Sequence, residues 1–151
     1  MTEDEELYLL MGKMVVNAGK LENLIFHLTT VSTGWVRSEK PLKQPMDKLM
    51  DECVRRAASR GESLERIVVL EHIFAGCKAA FGYRHQYVHG LWAQDRDEEG
   101  NELPTLTSLR NLRNENAVER YPVRAPNLQD LGEWIAVLCG ELASWGGSMS
   151  R

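Results

Sequence analysis

The chain is 151 residues long, 43% hydrophobic and 26% charged, a composition that excludes disorder and leaves room for one domain with a real core. Its formal charge of -4 and sequence pI of about 5.6 exclude a protein that coats nucleic acid through bulk positive charge, so any such contact has to be local. No apolar run approaches the ~18 residues of a membrane span, so no membrane partner is expected.

The acidic start, Met1-Thr2-Glu3-Asp4-Glu5-Glu6, lacks the positive region of a secretory signal. Cys53, Cys77 and Cys139 are scattered without metal-knuckle or C-x-x-C spacing, and each falls on or beside an apolar helical face. Buried, reduced thiols and a cytoplasmic location are the expectation.

Leu7, Met11, Met14, Ala18, Leu21, Ile25 and Leu28 recur at steps of three and four, which predicts a helix from about Glu3 to Val31. Thr2 with Glu5 three residues on forms its capping box. Gly34 and Pro41 bracket a loop. A shorter helix follows to about Ser59, with Met46, Leu49, Cys53 and Ala57 inward and Gly61 as its stop. Arg55, Arg56 and Arg60 near its end suit the helix dipole.

A third helix is expected from near Ser63 to Gly90, with Ile67, Leu70, Phe74, Cys77, Phe81, Arg84 and Val88 on one stripe. The last helix is expected to start at an Asn127 cap after Pro126, and Leu128, Leu131, Ile135, Leu138, Leu142 and Trp145 make its stripe. Four amphipathic helices predict an all-α four-helix bundle. Between the third and fourth, residues Leu91 to Ala125 read as a small β-hairpin insert. Asp97-Glu98-Glu99-Gly100-Asn101 supplies its turn, and Ala117 to Val123 offers a third strand.

The residues that suggest chemistry are Arg84-His85-Gln86-Tyr87-Val88-His89, at the end of the third helix. Arg84 continues the apolar stripe, and a guanidinium facing a core is costly unless paired or used. An ion pair to Glu22 on the first helix is the structural explanation for it. His85 and His89, four apart, share a helical face. That spacing also suits a metal pair, but Glu71 and His72 lie more than three turns away, so no metal is expected. Arg110, Arg113, Arg120 and Arg124 against Glu115 and Glu119 make one locally basic stretch in an acidic chain.

An arginine, a polar residue next to it, and a histidine four to six residues after the arginine form the signature of HEPN domains. Arg84, His85 and His89 resemble it, with Gly90 closing the helix. His85 stands where the family commonly has Asn or Asp, and the insert is longer than a minimal HEPN bundle needs.

The resemblance implies an HEPN-like helical bundle, no cofactor, and a metal-independent endoribonuclease that works as a homodimer with Arg84 and His89 of both chains lining one cleft. It also implies RNA as the partner, and an antitoxin protein if the chain is one half of a toxin–antitoxin or phage-defence pair. The residue types fit independently. Metal-free cleavage needs a base for the 2′-hydroxyl proton and a cation for the charged phosphorane. His89 is the candidate base, Arg84 the cation, and His85 the group that positions the phosphate or protonates the leaving oxygen. Tyr83 and Tyr87 are candidates to stack on bases, and Arg110 and Arg113 to guide the substrate. The alternative is a non-catalytic module that binds a nucleotide, RNA or protein through the same groove.

Overall fold

The computed structural model describes residues 1–32, 45–107 and 120–148. Helix α1 spans Glu3–His27, α2 Met46–Ser59, α3 Leu64–His89 and α4 Ala125–Gly147. Strands β1 (Leu91–Arg96), β2 (Glu102–Thr107) and β3 (Arg120–Pro122) lie between α3 and α4 as an antiparallel sheet in the order β1-β2-β3. Among the described residues no helix is long and apolar enough to cross a membrane. The predicted Gly34–Pro41 loop lies outside the described residues.

Local chemistry explains most helix ends. The Thr2 hydroxyl accepts from the Glu5 amide and the Glu5 carboxylate accepts from the Thr2 amide, the expected capping box. Ser63 caps α3 by accepting from the Arg66 amide. At the end of α2, Gly61 has φ +88°, a conformation that strains any residue carrying a Cβ. It lets the Gly61 amide donate to the Ala58 carbonyl and the Glu62 amide to the Ala57 carbonyl, a Schellman closure.

Two expectations need correction. The α-form of the first helix ends at His27, and Leu28–Ser32 is a π-turn rather than more α-helix. There the Thr29 and Thr30 hydroxyls donate to the Ile25 and Phe26 carbonyls at 2.8 and 2.9 Å, back-bonding of a kind that perturbs a helix. The last helix starts at Ala125 with Arg124 as its N-cap, not at Asn127. Pro126 in the first turn has the φ a helix needs and lacks only an N–H that would find no partner there. Arg56 does lie in the last turn of α2, as the dipole reading has it, and Arg55 and Arg56 also both pair with Glu52, their guanidiniums holding its carboxyl below the usual range.

One hydrophobic cluster joins all four helices to Leu106 and Val123 of the insert. Met14 lies beside Gly132 and Leu28 beside Gly146, so α1 and α4 run parallel. Asn17 ties them further, its amide donating to the Gly132 carbonyl at 3.2 Å. Gly76 faces Leu138 while Arg66 reaches the Trp145 carbonyl and Ser148, so α3 runs antiparallel to α4. Helix α2 lies along α3, joined by Lys78 Nζ and Asp51 Oδ1 at 2.9 Å.

Cys53 and Cys77 are buried and Cys139 is half-buried, all three as free thiols. Burial pushes Cys53 up to about 11 and Cys77 up to about 12, so both stay protonated at neutral pH.

Candidate functional site

The core stripe of α3, Ile67, Leu70, Ile73, Phe74, Cys77 and Ala80, anchors the helix, and its fully buried positions stop before the last two turns. Those turns carry the motif. Val88, expected on the stripe, is 38% exposed.

Gly90 then turns the chain directly into β1. Its φ of -70° suits any residue, so left-handed geometry is not the reason for glycine here. Space is: a Cβ would lie 2.4 Å from both the Gln86 carbonyl oxygen and Leu106 Cδ1. Replacing Gly90 by Ala is expected to cost about 1–3 kcal/mol, because a backbone carbonyl cannot yield as a side chain does. Chemical denaturation checks this. An unchanged midpoint would show that the helix end relaxes freely.

Arg84 faces α1, and its Nη1 lies 3.3 Å from Glu22 Oε1, the pairing anticipated from the apolar stripe. The two side chains are 29% and 37% exposed, so the pair is worth at most about 1 kcal/mol. Arg84 Nε is buried and has no hydrogen-bond partner among the described residues. His85 and His89 are exposed, with ring centroids 4.8 Å apart and planes inclined at 49°. Among the described residues no third histidine, cysteine or carboxylate joins them as a metal-binding group. At 3.6 residues per turn, Arg84 lies about 140° around the helix from His89, so the guanidinium and the imidazoles occupy adjoining sectors rather than one face.

The tyrosines are placed differently. Tyr87 lies about 160° around the helix from His89, and Tyr83 about 120° from it. Tyr87 is half-buried against the core, which pushes its phenol above the usual range, with Tyr83 adding to the shift. Tyr83 is 54% exposed. Within one protomer both tyrosines therefore sit on the opposite flank from the two histidines. Arg110 and Arg113 lie outside the described residues.

Trp92 lies in β1, two residues past Gly90. Its Nε1 donates to the Tyr87 carbonyl at 2.9 Å, satisfying one of the free carbonyls at the end of α3. In the β register Trp92 pairs with Leu106, and Leu106 with Tyr121, so one row across the sheet reads Trp92-Leu106-Tyr121. Leu106 is buried against Gly90, whereas Trp92 remains 41% exposed. An aromatic residue two positions after a helix-ending glycine is the available signal; its partners depend on strand register.

No family model matches the chain, and neither a curated protein nor a solved structure matches it, so the functional case rests on the residues of the site.

Proposed function

We propose that this protein is a metal-independent endoribonuclease of the HEPN kind, acting as a homodimer whose site is built around Arg84, His85 and His89. The observation that carries the reading is a single helix end that presents two exposed imidazoles 4.8 Å apart and, on an adjoining sector, the Arg84 guanidinium.

In this reading His89 takes the proton of a ribose 2′-hydroxyl, and the 2′-oxygen attacks the neighbouring phosphorus. Arg84 holds the charge of the phosphorane through its planar fork. His85 gives a proton to the 5′-oxygen as the P–O5′ bond breaks. The products are a 2′,3′-cyclic phosphate and a free 5′-hydroxyl.

The sectors of Arg84 and His89 diverge, so one protomer surrounds a phosphate incompletely. A two-fold pairing of this helix end brings a second set of the same groups to the opposite side. Exposed Val88, Trp92 and Tyr83 supply apolar area for such an interface. Light scattering at micromolar concentration is expected to give twice the 17.2 kDa chain mass. A strict monomer, or a dimer that survives substitution of both Val88 and Trp92 by charged residues, would remove the composite site. A free-standing nuclease of this type would be held in check by a protein antitoxin, as in a toxin–antitoxin or phage-defence pair.

The Glu22–Arg84 pair favours a second reading, in which this helix end binds nucleotide, RNA or protein without cleaving it. Labelled RNA incubated in EDTA with wild type, Arg84→Ala and His89→Ala decides between the two. Cleavage lost in both variants supports the nuclease, and binding without cleavage in wild type supports the module.

A further inference from the structure

We infer that Glu22 is an internal competitor for the ligand of Arg84: its carboxylate holds the guanidinium until a phosphate group displaces it. The ligand class rests on the reading above, whereas the competition rests on the geometry of the pair.

Other arginine–carboxylate pairs in the same chain show what a settled pair looks like. Arg66 Nε meets Glu62 Oε2 at 2.7 Å and Arg56 Nε meets Glu52 Oε1 at 2.8 Å, both within the range of charge-assisted hydrogen bonds. The Glu62 and Glu52 side chains are held close, well shielded from solvent. The approach of Arg84 Nη1 to Glu22 Oε1 is 3.3 Å, and Glu22 is the most open carboxylate of the three. The contact is long, and its acid borders water.

The guanidinium is meanwhile under-used. Its Nε–H is buried without an acceptor among the described residues, so the guanidinium uses less than its full donor capacity. Glu22 comes closest to it from α1 at Nη1. A phosphate has several acceptor oxygens and matches the planar fork, so it engages both terminal nitrogens together. Glu22 also places a negative charge where an anion has to arrive, and the two like charges disfavour joint occupancy. Binding a phosphate at Arg84 therefore entails release of Glu22, whose exposed side chain rotates away without disturbing the core. In the free protein the same contact keeps an inward-facing guanidinium from being wholly unpaired.

The test measures binding of a single-stranded 2′-O-methyl oligoribonucleotide, which lacks the attacking hydroxyl and is not cleaved. Wild type, Glu22→Gln, Arg84→Ala and the double variant are compared at one ionic strength. Glu22→Gln keeps the shape and an acceptor oxygen but removes the charge, and is expected to tighten binding about threefold to tenfold. In the Arg84→Ala background the same substitution is expected to do nothing. Glu22→Asp, which draws the carboxylate back by one methylene, is expected to fall between wild type and Glu22→Gln, and it carries the test if Glu22→Gln folds poorly by circular dichroism. Substitutions at Glu22 that bind no tighter than wild type, or a gain that persists without Arg84, would overturn the inference. Unmodified RNA separates the two proposals. Tighter binding in Glu22→Gln with no cleavage by wild type leaves the competitor standing and removes the nuclease. Cleavage that depends on Arg84, with no gain from Glu22→Gln, does the reverse.

Discussion

Arg84→Ala and His89→Ala are each expected to slow metal-free RNA cleavage by about 100- to 10,000-fold, the usual loss when a positioned base or charge-stabilising donor is removed. Wild type is expected to cut labelled single-stranded RNA in excess EDTA and to leave 2′,3′-cyclic phosphate ends. The variants are informative because neither position is deep in the core: His89 is exposed, and Arg84 has a long contact to Glu22. Thermal melts close to that of wild type should accompany the lost activity and separate lost chemistry from lost fold. The two positions are also expected to be non-additive, because a base without its cation gains little. If both variants cleave as fast as wild type, or if EDTA stops the wild type, then Arg84 and His89 are not the catalytic pair.

The largest loss of stability is expected far from the motif, from Trp145→Ala at the end of α4. Trp145 is buried, and its Nε1 donates to the Arg66 carbonyl at 2.9 Å. Arg66 in turn lies over the indole ring at 4.4 Å, donates to the Trp145 carbonyl and the Ser148 hydroxyl, and pairs with Glu62. One residue therefore clasps the start of α3 to the end of α4. Truncating a buried tryptophan costs about 3–5 kcal/mol, which for a chain of this size lowers Tm by roughly 6–20 °C. Trp145→Phe keeps most of the ring and loses the N–H bond, so about 1 kcal/mol is expected from it. Differential scanning calorimetry checks both variants. An alanine variant melting within about 2 °C of wild type would show that the clasp contributes little to global stability.

Features set by neighbours within four residues were legible from the order of amino acids alone. The stripes of α1 and α4, the Thr2–Glu5 box, the Ser63 cap and the Gly61 stop each depend on one helical turn of chain, and a few residue types determine them. The hairpin turn at Asp97–Asn101 was equally local, its Asp97 carboxylate accepting from the Glu99 and Asn101 amides. The motif could be located in the same way, and Glu22 could be named as the acid bordering the stripe that Arg84 continues.

The rest waited for packing between distant segments. The parallel course of α1 and α4 is set by the side chains that meet at Gly132 and Gly146, which periodicity does not rank. Strand register alone puts Trp92 and Tyr121 in one row with Leu106, since a slip of one residue would turn each to the other face. At Gly90 a Cβ would meet Leu106, sixteen positions on, as well as the local Gln86 carbonyl, and only the first of these needs the tertiary fold. Above all, the long contact from Glu22 to Arg84 is a distance, and a distance between residues on different helices exists only once the helices have packed.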